Sequence, residues 1–122
     1  MTSCLVVDDS QVVRSVARRI LRELDIAVTE AENGALALES CRASMPDLIL
    51  LDWNMPVMDG MMFLRRLRGE YGNEKPIVVF CTTENHMRGV REAMEAGANE
   101  YIMKPFDESI IRSKLAQVGL LQ

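Results

Sequence analysis

An apolar run that ends in a single carboxylate constrains this chain more than any other stretch. Leu48 to Leu51 are consecutive aliphatic residues, and Asp52 follows them directly. A short apolar run bounded by turn residues is typical of a strand that is buried on both faces of a parallel sheet. Pro56 and Gly60 come next and force a loop. Because ligands of open α/β sheets bind beyond the carboxyl ends of the strands, we predict that Asp52 is the reactive residue.

The size and composition of the chain indicate one soluble globular domain over residues 1–122. Of its 122 residues 48% are hydrophobic and 26% are charged, and the formal net charge is −4. An acidic chain without a basic block is not expected to bind nucleic acid directly. Three cysteines without metal-ligand spacing fit a reducing compartment. Because no stretch resembles a signal peptide or a membrane span, we expect a cytoplasmic protein without membrane insertion.

Predicted strands and helices alternate along the whole chain. The strands are predicted at Cys4 to Val7, Ala27 to Glu32, Asp47 to Asp52, Pro76 to Cys81 and Glu100 to Met103. The helices are predicted after the capping residue Ser10, around Leu36 to Cys41, from about Asp59 to Gly69, from about Asn85 to Ala96 and from about Glu108 to Val118. Five strands alternating with five helices predict an α/β fold, with a five-stranded parallel sheet and helices on both faces.

The sequence also predicts which side chains of the first and fourth helices face solvent and which face the core. In the first helix, four arginines between Arg14 and Arg22 lie mostly between the apolar positions. We interpret them as a solvated face rather than a binding patch. In the fourth helix, helical spacing predicts that Val90 and Met94 point inward.

Polar residues follow four of the five predicted strands. Asp8 and Asp9 follow the first strand, and Asp52 ends the third. Thr82 follows the fourth strand, and Lys104 follows the fifth. Because the carboxyl ends of parallel strands lie at the same edge of a sheet, we expect these side chains to converge.

Three clustered carboxylates repel one another unless positive charge lies among them. Mg²⁺ binds carboxylate and phosphate oxygens, and Lys104 supplies a further positive charge. With both present, Asp52 can attack phosphorus as a carboxylate nucleophile and form an aspartyl phosphate. Thr82 can then donate a hydrogen bond to the phosphoryl oxygens.

Together these motifs resemble the receiver domain of two-component response regulators, and the resemblance covers the whole chain. It rests on Asp8-Asp9 after an apolar strand, Asp52-Trp-Asn-Met-Pro-Val-Met-Asp-Gly60, Thr82, and Lys104-Pro105-Phe106. Within the family, the chain is most similar to the single-domain chemotaxis receivers of the CheY type. The flavodoxin-like sheet order 2-1-3-4-5 is carried over with the resemblance.

The resemblance implies a phosphoacceptor and a metal site. Asp52 would accept a phosphoryl group from a histidine kinase or a histidine phosphotransfer protein. Asp9 and Asp52 would be Mg²⁺ ligands, and Asp8 would act mainly through water. The main-chain carbonyl of Asn54 would complete the metal site.

The resemblance also implies a switch. Thr82 would be the switch hydroxyl, Lys104 the phosphate-pairing lysine, and Tyr101 the aromatic residue that turns inward when Thr82 moves. Glu84, two residues after Thr82, would modulate the lifetime of the phosphorylated state. The fourth helix, fifth strand and fifth helix would bind a protein target, and the chain would not be an enzyme for a separate substrate. The oligomeric state stays open, and a monomer is the simplest expectation.

Three alternatives remain open at the level of sequence. The chain can be the receiver fragment of a longer regulator, or a receiver that serves as a phosphate-independent scaffold. It can also be a magnesium-dependent phosphatase of the haloacid dehalogenase type. That class requires a second aspartate two residues after the nucleophile, where this chain has Asn54.

Overall fold

A computed structural model describes residues 1–83 and 88–121, and strands alternate with helices along them. The strands are β1 (Ser3–Val7), β2 (Ala27–Ala31), β3 (Leu48–Asp52), β4 (Ile77–Thr82) and β5 (Glu100–Met103). The helices are α1 (Gln11–Glu23), α2 (Gly34–Ala43), α3 (Gly60–Tyr71), α4 (Arg88–Glu95) and α5 (Glu108–Gln117). The predicted α/β class and the predicted order of elements are confirmed.

The strands form one parallel sheet in the order β2-β1-β3-β4-β5, which confirms the expected order. Val7 pairs in register with Leu51, and Thr82 pairs with Met103. The carboxyl ends of the central strands are therefore nearly level. This register brings the polar residues that follow the strands to one edge of the sheet.

Each face of the sheet has its own hydrophobic core. In β1, Cys4 and Val6 pack with residues of α1 and α5, whereas Leu5 and Val7 pack with residues of α2 and α3 on the other face. All five residues of β3 are buried. A fully buried aliphatic side chain contributes about 1.5–3 kcal/mol, so these strands form a rigid base beneath the sheet edge.

Side-chain caps begin four of the helices. The cap residues, whose side chains accept a hydrogen bond from a main-chain amide of the first turn, are Ser10, Asn33, Asp59 and Asp107. Such caps contribute about 1 kcal/mol each because they satisfy amides that have no partner within the helix. The predicted cap at Ser10 is confirmed.

The inward orientation predicted for Met94 is wrong. Met94 of α4 is 38% exposed, and its neighbour Ala93 is the buried residue, with 1% exposed. A small alanine side chain lets the helix backbone lie close to β4, a geometry that hydrophobic spacing does not reveal. The predicted start of this helix at Asn85 lies outside the described residues.

All three cysteines are buried free thiols. Burial raises the pKa of Cys41 to about 11 and that of Cys81 to about 12. These residues therefore behave as small hydrophobic side chains of the core.

No helix among the described residues is both long enough and apolar enough to span a membrane.

The loop between β3 and α3 contains an unfavourable backbone conformation. Val57 has φ of 69°, and its side chain is 81% exposed. A left-handed conformation costs an L-residue roughly 1–2 kcal/mol, and a β-branched side chain is poorly suited to it. Asparagine adopts this conformation more readily than most residues.

We therefore expect Val57→Asn to raise the free energy of unfolding by about 1 kcal/mol, as measured by urea denaturation. Val12→Asn is the matched control because Val12 is an exposed valine within α1. Valine and asparagine have similar helix propensities, so the control should leave stability nearly unchanged. A Val57→Asn protein that is no more stable than the original would contradict the assignment of strain to this residue.

Candidate phosphoacceptor and metal site

A lysine ammonium group bridges two buried carboxylates at the carboxyl edge of the sheet. Nζ of Lys104 lies 2.6 Å from Oδ2 of Asp8 and 2.8 Å from Oδ1 of Asp52. Asp8 follows β1, Asp52 ends β3, and Lys104 follows β5. The main-chain amide of Lys104 donates to the carbonyl of Thr82 at 2.7 Å, which fixes the lysine to the end of β4. The convergence expected from the sequence is therefore observed for these residues.

Asp9 completes a group of three carboxylates. Oxygens from Asp8, Asp9 and Asp52 all lie within 4.8 Å of one another. Asp8 and Asp52 are only 3% and 8% exposed, whereas Asp9 is exposed. The group therefore opens to solvent on the side of Asp9. Its donors are all hard carboxylate oxygens, which fit the ligand preference of Mg²⁺.

The carboxylate of Asp8 is held from both sides. Oδ1 accepts a hydrogen bond from the main-chain amide of Ser10 at 2.9 Å, and Oδ2 accepts one from Lys104. Because both oxygens already accept hydrogen bonds from the protein, Asp8 is more constrained than the exposed Asp9. This arrangement is compatible with a role for Asp8 that is mediated by water.

Burial dominates the electrostatics of Asp52 and raises its pKa above the ordinary value. The hydrogen bond from Lys104 opposes this shift, and the negative charge of Asp8 adds to it. Burial also disfavours the charged form of Lys104, but its hydrogen bonds to Asp52 and Asp8 outweigh that effect and raise its pKa. Lys104 therefore stays protonated, whereas its positive charge only partly offsets the cost of burying the ionised carboxylate of Asp52.

The loop after Asp52 returns tightly over the end of β3. The amide of Gly60 donates to the carbonyl of Trp53 at 3.0 Å. A Cβ atom at Gly60 would collide with the main-chain oxygen of Asp52, so the site requires glycine here. The Trp53 ring also packs edge-on against Phe80, with 5.0 Å between ring centroids. From the sequence alone, Gly60 is recognisable only as a residue that ends regular structure.

Of the two side chains predicted to form the switch, Thr82 ends β4, and Tyr101 is the second residue of the neighbouring strand β5. Thr82 is buried, and its hydroxyl donates to the carbonyl of Thr83 at 3.2 Å. Tyr101 is half-buried beside α5, where Nζ of Lys114 lies 5.2 Å from the centre of its ring. Thr82 must therefore rotate away from the Thr83 carbonyl before it can donate to a phosphoryl oxygen.

The roles predicted for two further site residues stay predictions. Asn54 is exposed in the loop after β3, and the metal-ligand role of its main-chain carbonyl stays a prediction. Glu84 lies outside the described residues, so its expected effect on the phosphorylated state also stays a prediction.

The interpretation of the α1 arginines as a solvated face is wrong for Arg14. Its Nη1 donates to the carbonyl of Asp8 at 2.7 Å, and its Nε donates to Glu30 of β2 at 3.1 Å. Arg18 donates to the same glutamate at 2.9 Å. Arg14 therefore braces the main chain at Asp8. Sequence spacing contains no signal for this contact because Glu30 and Arg14 belong to different elements.

Comparisons with known proteins agree with this fold. A family model described as "Response regulator receiver domain" matches residues 4–116. The chemotaxis protein CheY1 of Helicobacter pylori is 36% identical over 116 residues, covering 93% of this chain and 94% of that protein. The chemotaxis protein CheY of Pseudomonas aeruginosa is 33% identical over 115 residues, covering 93% of each chain. The solved structure of Vibrio cholerae CheY4 has a TM-score of 0.89 and 30% identity, covering 97% of this chain and 98% of that one.

We expect Asp52→Asn to stabilise the protein at pH 7 in EDTA-containing buffer, by roughly 1 kcal/mol. The pKa of Asp52 is raised in the folded protein, so its ionised form opposes folding at neutral pH. This cost disappears as the pH falls below the ordinary aspartate pKa. The advantage of the variant should therefore shrink towards about pH 3.5 in urea unfolding experiments.

Asp25→Asn is the matched control for the loss of one negative charge. Asp25 is exposed, and asparagine tolerates its φ of 62°. An equal gain in the free energy of unfolding in both variants, or a gain that is as large in acid as at pH 7, would contradict the claim that the buried, ionised carboxylate of Asp52 destabilises the fold.

Proposed function

This chain belongs to the response regulator receiver domain family, and we propose that it acts in a two-component phosphorelay as a phosphoacceptor switch. Asp52 accepts a phosphoryl group in a Mg²⁺-dependent reaction, and the modified chain then binds a protein target with altered affinity. The observation that carries this proposal is the bridge from Lys104 to Asp52 and Asp8 within the group of three carboxylates.

The chemistry is a transfer to a carboxylate oxygen. An oxygen of Asp52 forms a new bond to phosphorus, and the bond between phosphorus and the donor atom breaks, with the electron pair leaving on the donor. Lys104 lies within hydrogen-bond distance of Asp52 and offsets negative charge as the two anionic groups approach. The product is an aspartyl phosphate.

The acidic group supports a requirement for Mg²⁺. Asp9 and Asp52 would be direct ligands, Asp8 would act through water, and the main-chain carbonyl of Asn54 would complete the set. When bound, Mg²⁺ offsets the negative charge that the carboxylates and the phosphoryl group bring together. Among these residues, Asp8 holds its orientation through Ser10 and Lys104.

The switch step is a population shift between two arrangements of the sheet edge. The phosphoryl group adds charge and acceptor oxygens at Asp52. The hydroxyl of Thr82 leaves the Thr83 carbonyl to donate to a phosphoryl oxygen, and Tyr101 moves inward beside it. The face formed by α4, β5 and α5 then changes its affinity for the target, because phosphorylation favours one pre-existing arrangement.

The donor is a histidine kinase or a histidine phosphotransfer protein, and the target is a protein that binds the α4-β5-α5 face. The names of the relatives support a signalling role of the chemotaxis type. The chain promotes its own phosphorylation and dephosphorylation and does not turn over a separate substrate. The monomeric state, the cytoplasmic location and the absence of direct nucleic-acid binding stay predictions. The same chemistry holds if the chain is a receiver within a longer regulator.

We expect incubation with acetyl phosphate and Mg²⁺ to add one phosphoryl group, measured by intact mass. The gain should require Mg²⁺, should be lost on hydrolysis, and should be absent from Asp52→Asn, which lacks the nucleophile. In Lys104→Met we expect incorporation to slow by about 10- to 100-fold, because the ammonium that offsets charge at Asp52 is gone.

Asp25→Asn again serves as the control and should incorporate phosphate at the original rate, since Asp25 is exposed and outside the group of three carboxylates. Normal incorporation in Asp52→Asn would overturn the site assignment. A chain that binds neither metal nor phosphate would instead support the phosphate-independent scaffold.

A further inference from the structure

Among the described residues, the side chains of α4 bury little surface against the rest of the molecule. Of the α4 side chains that the structure describes, only that of Ala93 is fully buried. Glu92 forms an ion pair with Arg65 of α3 at 2.6 Å, but both side chains are more than half exposed. Exposed ion pairs hold a helix weakly. An element with little buried apolar surface is the kind that moves at low energetic cost.

The side chain that directly follows Asp52 packs against the first turn of α4. A Cβ atom placed on Gly89 would lie 2.6 Å from Cζ3 and 3.0 Å from Cζ2 of the Trp53 ring. Real Cβ atoms do not approach other atoms so closely, so the indole occupies the space that any larger residue would need. Glycine is a poor helix former, and this close approach of the ring to the helix backbone explains its presence within α4.

The opposite end of α4 is fixed to α3. The buried Arg68 donates through Nε to the carbonyl of Gly97 at 3.0 Å and through Nη2 to Oδ1 of Asn99 at 3.1 Å. Oδ1 of Asn99 also accepts from the main-chain amide of Val78 in β4 at 2.8 Å. The chain just beyond the C-terminus of α4 is therefore tied to both α3 and the sheet.

We propose that the contact between Trp53 and Gly89 links the phosphorylation site directly to α4. Movement of the loop after Asp52 shifts the indole, and α4 pivots about the anchor formed by Arg68. This inference rests on the proposed function and adds a connection that does not pass through Thr82 or Tyr101. Trp53 acts here as a positioning residue, since it would act through the contact between its ring and the helix backbone at Gly89.

The chain offers a matched pair of variants for the test. Gly89→Ala adds a methyl group where the indole lies, whereas Gly69→Ala adds the same group at an open position of α3, where no atom outside the adjacent helix backbone lies within 4 Å. Both substitutions replace glycine in a helix and both improve intrinsic helix propensity. Any difference between them therefore reports the Trp53 contact.

The measurement is hydrogen exchange, followed by mass spectrometry, on peptides that cover α4 and α3. Each protein is compared before and after incubation with acetyl phosphate and Mg²⁺, and the exchange is normalised to the fraction phosphorylated by intact mass. In the original protein and in Gly69→Ala, phosphorylation should change the exchange of α4 and leave α3 unaffected. In Gly89→Ala, the protein should still incorporate phosphate. The change that phosphorylation causes in the hydrogen exchange of α4, called here the α4 response, should fall by about fivefold or more.

A second variant addresses the possibility that Gly89→Ala disturbs folding. Trp53→Phe replaces the indole, whose outer ring atoms lie against Gly89, by a smaller ring. It should also weaken the α4 response relative to the fraction phosphorylated. In the double variant, the smaller ring leaves room for the added methyl group, so the unfolding cost of Gly89→Ala should be largely relieved.

The outcomes separate this inference from the proposed function. A full α4 response in Gly89→Ala or in Trp53→Phe, or an equal loss in Gly69→Ala, would overturn the link while phosphorylation of Asp52 still stood. Phosphorylation of the original protein without any change in α4 would also overturn the link. A failure of the original protein to incorporate phosphate would overturn the proposed function and the link together.

Discussion

The ammonium group of Lys104, held between Asp8 and Asp52, is the interaction on which the rest of the site depends. Three carboxylates at one sheet edge repel one another, and two of them are almost completely buried. The lysine offsets that charge only because β1, β3 and β5 end at nearly the same level of the sheet. The parallel register, and not any single motif, therefore creates the site. Arg14 and Ser10 add to this arrangement by fixing the chain around Asp8.

The molecule divides into a rigid part and a more weakly held part. Two hydrophobic cores enclose the central strands, and the buried β3 carries Asp52 at its end. On the proposed output face, α4 contributes only Ala93 as a fully buried side chain among those described. A rigid base keeps the reactive groups aligned, while a helix with few buried contacts can respond to a small change at the site. Trp53 lies between these two parts, next to Asp52 and against Gly89.

Sequence patterns predicted the α/β class and the residues that converge, because alternating elements and parallel strand ends leave few arrangements. The strand order was carried over with the family resemblance. Sequence patterns did not predict contacts between side chains that are distant along the chain. The brace from Arg14 to Asp8 and Glu30 is one example. They also did not predict the orientation of α4. Hydrophobic spacing would turn Met94 towards the core, whereas the buried residue is Ala93, whose small side chain allows the helix to pack closely. Gly60 and Gly89 are the clearest case. Each lacks a side chain because another group, the main chain of Asp52 or the ring of Trp53, lies against its backbone, and only the folded structure shows these contacts.

The most direct test of the account is to identify the phosphorylated residue chemically. The protein would be phosphorylated with acetyl phosphate and Mg²⁺, and borohydride reduction would then convert the aspartyl phosphate to homoserine. Peptide mapping by mass spectrometry would locate the converted residue. We expect homoserine at Asp52 and at no other aspartate, since Asp52 is the carboxylate beside Lys104 at the end of β3. Homoserine at Asp8 or Asp9, or the absence of any converted residue, would contradict it.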